Sequence, residues 1–212
     1  MTPVKAVSPE ESELWRLIEE RGRPSVDATA VDRRIWERFG QRRAVMFTDL
    51  SGFSRQVERF GILHFLQVIL EQRKLLFPIL EARGGTLLKE EGDSLLVVWD
   101  DIPTAFAAAI EMQHATMRHN IGLPPELHVL LCLGLGFGDV LLIGDHDVWG
   151  KEVNTASKLG EDTARAGEIL LSSEAVAALG EVAGVAFEPI AERFTPTDQN
   201  FRARYPGPPP SD

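Results

Sequence analysis

Between residues 60 and 82 apolar side chains return every three or four positions, from Leu63, Leu66, Ile69 and Leu70 to Leu75, Leu76, Ile79 and Leu80. That period predicts one long helix with an apolar face. The pattern on either side is different. Ala44-Val45-Met46-Phe47 is a short apolar run that ends on Asp49 and predicts a buried strand over 43–49. The run "GGTLLKEEGDSLLVVWD" predicts two strands around a tight Gly92-Asp93 turn. A helix is expected from near Ile102, with Pro103 in its first turn. "ELHVLLCLGLGFGDVLLIGD" predicts two more strands, broken near Gly134, Gly136 and Gly138. A helix over 151–164, a strand over 168–171, a helix over 173–179 and an edge strand near 184–188 follow. The order β-α-β-β-α-β, with further elements after it, predicts an α+β fold: a ferredoxin-like split βαβ core with an added hairpin and helices.

Two short helices precede this core. Ser8-Pro9-Glu10-Glu11 reads as a cap, a Pro at the first helical position and a Glu three residues after the cap. The helix it opens runs through Trp15, Leu17 and Ile18 to Gly22. The second starts near Asp27 and carries Val31, Ile35 and Phe39 at i, i+4 and i+8. Neither can bury its apolar face alone, so both are expected to pack on the main domain or on a partner chain. The expected organisation is an N-terminal helical arm over 1–41, loose over residues 1–7, a main domain over 42–190 and a C-terminal extension over 191–212. The Pro-rich end of that extension, "YPGPPPSD", predicts disorder.

Composition narrows the function classes. A chain of 212 residues that is 44% hydrophobic and 25% charged is an ordinary globular one. A net charge of -10 argues against a nucleic-acid polymer as partner. The single Cys132 excludes an intramolecular disulfide and a cysteine-rich zinc site, and fits a reducing cytoplasm, the expected location. No apolar run reaches the ~20 residues of a membrane span, and the N-terminal stretch has no apolar core of a signal peptide. The five histidines are scattered singly and no Gly-x-Ser-x-Gly elbow is present, so neither a histidine metal site nor triad hydrolysis is expected.

Two acids remain that the predicted core can gather. Asp49 ends the first strand, and Asp93 sits in the turn of the hairpin that lies beside it. Two hard oxygen ligands at one sheet edge suit two divalent metal ions, Mg²⁺ or Mn²⁺, carrying a polyphosphate. The loop Ser51-Gly52-Phe53 offers backbone N–H groups to phosphate oxygens. Taken one at a time these residues read equally as a solvated strand end and an ordinary hairpin turn.

As a set they resemble a known family. "FTDLSGFS" and "LLKEEGDSLLVVW" are similar to the two metal motifs of the class III adenylate/guanylate cyclases. "LGLGFGDV" resembles their Gly-rich strand, and "DVWGKEVNTASKLGEDTARAGEILLS" their signature turn, helix and strand. The likeness covers roughly residues 42 to 190 in collinear order. It implies that Asp49 and Asp93 hold the two metals, with the Leu50 carbonyl as a further ligand. Lys89 and Asp147 occupy its purine-reading positions, where this pair selects adenine: Lys donates to ring N1 and Asp accepts from the C6 amine. Asn154 stands where the family orients the ribose. The implied activity is adenylate cyclase, ATP to 3′,5′-cyclic AMP and pyrophosphate by a two-metal mechanism. The implied assembly is a head-to-tail homodimer in which one protomer gives Asp49 and Asp93 and the other gives Lys89, Asp147, Asn154 and Lys158.

The chain departs from the pattern at Lys158, where the family usually has an Arg that stabilises transition-state charge. Lys keeps the charge and loses the planar fork that fits a phosphate. No residue of "AERFTPTDQNFRARY" matches the family's terminal-phosphate Lys, and Arg193, Arg202 and Arg204 are candidates by charge alone. These gaps keep two alternatives in view: a nucleotide-binding regulatory module with little turnover, and a cyclase that uses GTP or a pyrimidine triphosphate. The N-terminal helices either relay a signal from a regulatory partner or brace the dimer.

Overall fold

The computed structural model describes residues 8–194 and 199–208. The expectations for residues 1–7 and for the last four of the Pro-rich end therefore lie outside the described residues. Among the described residues an eight-stranded sheet organises the chain, in the order β2 (Thr86–Glu91), β3 (Ser94–Trp99), β1 (Gly40–Leu50), β4 (Leu131–Ile143), β6 (Ile169–Leu171), β8 (Phe201–Arg204) and β7 (Ala186–Pro189), with β5 (Asp147–Trp149) paired to β4 off that path. β1 (Gly40–Leu50) is central, antiparallel to β3 (Ser94–Trp99) on one side and to β4 (Leu131–Ile143) on the other. β2 (Thr86–Glu91) completes the hairpin with β3. This is the ferredoxin-like split βαβ core expected from the sequence.

Alternation explains why β1 is apolar at consecutive positions. Ala44 and Met46 face one core, packed under α4 (Ile62–Ala82) and α5 (Ile102–Asn120), while Val45 faces a second core with Val153 and Ala156 of α6 (Lys151–Ser157). Successive side chains of a strand point to opposite faces, so a strand covered on both sides loses its polar half.

The glycines at 134, 136 and 138 do not divide β4, contrary to the expectation of two strands. They lie in one continuous strand of 13 residues. Their missing side chains let the following helical segment approach. A Cβ at Gly134 would stand 2.2 Å from the Ala156 carbonyl oxygen and 2.3 Å from the Gly160 nitrogen, and one at Gly136 would stand 2.5 Å from the Glu152 carbonyl oxygen. The predicted 151–164 helix is α6 followed by a π-helical turn over Lys158–Thr163. After it come β6 (Ile169–Leu171), α7 (Ser173–Leu179) and the edge strand β7 (Ala186–Pro189). Two strands escape the sequence reading: β5 (Asp147–Trp149), and β8 (Phe201–Arg204), which inserts between β6 and β7.

The long helix also has an unpredicted forerunner, α3 (Phe53–Phe60), separated from α4 by Gly61 at φ +84°. α1 (Pro9–Arg21) is capped as expected: the Ser8 hydroxyl accepts from the Glu11 N–H at 3.1 Å. In α2 (Ala28–Phe39) the Asp27 carboxylate accepts from the Thr29 N–H at 3.0 Å. Leu14, Leu17, Val31, Ile35 and Phe39 bury themselves against Ile143 of β4, so the two helices pack on the main body. Trp15 and Ile18 stay exposed.

Candidate active site

β1 delivers Asp49 to the end of the sheet, and the β2–β3 turn delivers Asp93 beside it. The turn is pinned from two directions. The Leu50 N–H donates to Asp93 Oδ2 at 3.3 Å, and Gln72 of α4, itself buried, donates to the Asp93 carbonyl oxygen at 2.8 Å. Ser94 Oγ donates to Asp49 Oδ1 at 3.5 Å. Burial pushes the Asp49 carboxyl up to about 6, with the Asp93 charge adding to it and Glu161 contributing further. Burial also raises Asp93, against hydrogen bonds from its own backbone and from Leu50 that act to lower it. Two carboxylates that resist ionising side by side are a donor set that a divalent cation would relieve. Among the described residues no group of three or more His, Cys, Asp or Glu is placed to hold a metal. The set is thus a pair, and a cation held there would need further oxygens, of which the adjacent Leu50 carbonyl could supply one.

Next to this pair opens a cleft of about 620 Å³, lined among others by Lys89, Asp147, Trp149, Asn154, Ser157 and Glu161. Lys89 leaves β2 just after a register shift in its pairing with β3, and its Nζ lies 2.8 Å from Asp147 Oδ1 on β5. The Asp147 carboxylate also accepts from the Val148 N–H at 2.8 Å, which fixes its position. Asn154 projects from α6 as an exposed side chain into the same cleft. The buried Glu152 holds that helix down: its Oε2 accepts from the Phe137 N–H of β4 at 3.1 Å and from the Ser172 hydroxyl at 2.6 Å. Burial raises this carboxyl too, its first opposing influence being the Ser172 hydrogen bond.

The remaining predicted residues are placed differently. Lys158 is exposed, does not line the cleft, and has its Nζ 5.2 Å from the Phe194 ring centroid. Ser51 and Gly52 line a second groove. The Ser51 N–H donates to the Leu130 carbonyl at 2.9 Å and is thereby committed to the protein. Phe53 opens α3, with Gly52 before it at φ +90°. Of the C-terminal arginines, Arg202 pairs with Glu168 and Arg204 with Glu188, both at 2.8 Å, and Arg193 donates to Gln199 at 3.0 Å. Sequence reasoning passed over Glu161 and Trp149. Glu161 accepts from Ser157 Oγ at 2.5 Å from the π-helical turn after α6, where an α-helical spacing counted from Asn154 gives no signal.

The sequence model of the adenylate and guanylate cyclase catalytic domain matches residues 39–195. An adenylate cyclase of Streptomyces coelicolor is 34% identical over 161 residues, which cover 71% of this chain and 38% of that protein. A Rhizobium meliloti relative is matched over only 20% of its length, so the chain spans well under half of the curated relatives it matches. Among solved structures, the adenylate/guanylate cyclase/hydrolase from Silicibacter pomeroyi is similar with a TM-score of 0.66 at 24% identity, covering 79% of this chain and 98% of that one. The guanylyl cyclase Cya2 is similar with a TM-score of 0.65 at 22% identity, covering 77% and 91%. Fold, motif order and matched span agree, and the chain belongs to the adenylate/guanylate cyclase catalytic domain family.

Proposed function

We propose that the domain is an adenylate cyclase, converting ATP to 3′,5′-cyclic AMP and pyrophosphate at the interface of two copies of the chain. The observation that carries the choice of nucleotide is the 2.8 Å contact between Lys89 and Asp147 in the cleft. A donor beside an acceptor satisfies itself when the cleft holds no base. The Watson–Crick edge of adenine presents the complementary order, an acceptor at N1 and a donor at the C6 amine. Guanine presents a donor at N1 and an acceptor at C6, and would set like against like at both positions.

Asn154 would orient the ribose from α6, whose height is set by Glu152 and by the glycines of β4. Cyclases of this family generally use divalent metals, and Asp49, Asp93 and the Leu50 carbonyl are the groups that would hold them here. Bound there, two Mg²⁺ or Mn²⁺ ions would supply positive charge to the triphosphate. In a head-to-tail pair, the acids of one copy would face Lys89, Asp147, Asn154 and Lys158 of the other.

A second reading, a nucleotide-binding regulatory module with low turnover, draws on one observation: Lys158 rests over Phe194 rather than in the cleft. The test is incubation of the chain with each of ATP, GTP, CTP and UTP, with Mg²⁺ and with Mn²⁺. Cyclic AMP as the main product supports the proposal. A preference for another nucleotide overturns the base assignment, and tight ATP binding with no cyclic product favours the regulatory module.

A further inference from the structure

The N-terminal arm reaches the wall of the cleft. Leu14 and Leu17 of α1, buried with Val31, Ile35 and Phe39 of α2, pack on Ile143 of β4, with Leu141 beside it. Those two β4 residues are the antiparallel partners of Asp147 and Trp149 on β5. Residues directly opposite in an antiparallel pair project to the same face, so the arm and the two cleft residues share one side of the β4–β5 hairpin. β5 has little else to hold it. It is three residues long, and among the described residues it bonds to β4 alone. Trp149 is half exposed, and the ring that meets it is that of Trp15 in α1. The two centroids lie 6.4 Å apart with planes 80° from each other, an edge-to-face contact. The Trp15 indole N–H donates to Glu11 Oε1 one turn earlier at 3.3 Å, which fixes the direction of the ring. Leu14 and Leu17 already anchor α1, so the half-exposed Trp15 adds little to docking of the arm.

We infer that Trp15 is a positioning residue for the cleft: its edge contact with Trp149 fixes β5, and with it the Asp147 carboxylate that faces Lys89. Trp149 and Asp147 both line the cleft, two residues apart on one side of the same short strand. A shift of the Trp149 ring therefore carries the backbone that aims Asp147. The Val148 N–H donates to Asp147 Oδ1 at 2.8 Å, so the carboxylate follows that backbone. Its contact with Lys89 Nζ, also 2.8 Å, is at hydrogen-bond length and weakens as the strand moves. The arm is on this inference part of the base-binding wall. A brace made within the chain acts before any ligand arrives, and so lowers the cost of ordering β5 on binding. Only the identity of the ligand rests on reading the domain as an adenylate cyclase.

Hydrogen exchange at the β5 amides of the ligand-free full chain is the direct readout. Trp15→Ala should raise their exchange rate about threefold or more. Trp15→Phe, which keeps a ring edge, should stay near the parent. So should Ile18→Ala, which trims an exposed side chain of the same helix outside the ring pair. Calorimetric titration with 3′-deoxy-ATP and 3′-deoxy-GTP in Mg²⁺ gives the second readout, since both lack the attacking hydroxyl and report binding without turnover. Trp15→Ala should weaken 3′-deoxy-ATP about threefold or more and narrow its advantage over 3′-deoxy-GTP, with neither effect in Trp15→Phe or Ile18→Ala. Unchanged β5 exchange in Trp15→Ala, the same acceleration in Ile18→Ala, or equal losses for the two nucleotides would each overturn the inference. Because Trp15 is half exposed the Ala variant is expected to fold, and circular dichroism checks it. Trp15→Leu, which keeps an apolar side chain and removes the ring, should reproduce the Ala result. Trp15-dependent protection of β5 in a chain that binds neither nucleotide would uphold the positioning role while removing the adenylate cyclase reading.

Discussion

Lys89 Nζ stands 2.8 Å from Asp147 Oδ1 across strands that are not neighbours: among the described residues β2 bonds to β3 alone and β5 to β4 alone. The two side chains meet across the mouth of the cleft. Their side chains are 40% and 24% exposed, so an ion pair there adds little to folding. A contact of small structural worth at the site where a base would lie is better accounted for by recognition than by stability.

Substituting Lys89→Glu tests that account. The variant removes the proposed donor to adenine N1 and brings two carboxylates together. Its kcat/KM for ATP should fall about a hundredfold or more, while its urea midpoint moves by less than about 1 kcal/mol in equivalent stability. The GTP/ATP preference, read from cyclic products, should shift toward GTP. Unchanged preference would remove Lys89 from base recognition.

Gly134 offers a test of how α6 is set. A Cβ there would meet main-chain atoms of Ala156 and Gly160 at 2.2 and 2.3 Å, and backbone cannot step aside as a side-chain tip can. Gly134→Ala should cost about 3 kcal/mol or more by urea denaturation and should lower turnover by displacing Asn154. Gly84 is the control. It has φ +64° with nothing within 4 Å of where a Cβ would stand, so Gly84→Ala should cost only about 1 kcal/mol and leave turnover intact.

These glycines also mark where the sequence was legible and where it was not. The period of the 60–82 segment, the Gly92-Asp93 turn and the apolar run of β1 each encode one element locally, and each is found. The function of Gly134, Gly136 and Gly138 is not local: they accommodate α6, which comes later in the chain, so they read as breakers of a strand that is continuous. β5 and β8 are three and four residues long and hold their place by pairing with β4, β6 and β7, which leaves no period to detect. In the site, Asp49, Asp93, Lys89, Asp147 and Asn154 were nameable because motif spacing carries them. Glu161 lies outside those motifs and reaches the cleft through the π-helical turn that follows α6.

Acid pH should act on the Asp49 pair in two opposite ways. Burial pushes the Asp49 carboxyl up to about 6 in the folded chain, against an ordinary value of 3.8. The folded state therefore binds more protons than the unfolded one between those values, so this group's contribution to stability falls as pH rises from about 4 to about 6 and is at its least favourable above that. Asp93 shifts in the same direction and reinforces the trend. Metal binding has the reverse sign, since a protonated carboxyl is a poor ligand. Mn²⁺ affinity should drop steeply as pH falls through about 6. Asp49→Asn should lose most of the Mn²⁺ binding, gain stability in the metal-free form at neutral pH, and flatten the slope of melting temperature between pH 4 and 6. A metal-free Asp49→Asn protein less stable than its parent at pH 7.5 would contradict the burial of an uncompensated charge.

The proposed sharing of the site between two copies makes the most demanding prediction, because it concerns which copy supplies which residue. Asp49→Ala removes the proposed metal carboxylate, and Asn154→Ala removes the proposed ribose contact, so each variant alone should be nearly inactive. If each site combines Asp49 of one copy with Asn154 of the other, a mixed dimer regains one intact site while its second site carries both lesions. Random exchange of equal amounts makes about half of the dimers mixed, and activity should return to about a quarter of the parent value per total site. If Asp49 and Asn154 act within one copy, every site in every dimer carries one lesion and no mixing ratio restores activity. Dilution separates the same alternatives independently: specific activity should decline as the concentration falls below the dimer dissociation constant, and the decline should be absent for a site contained in a single chain.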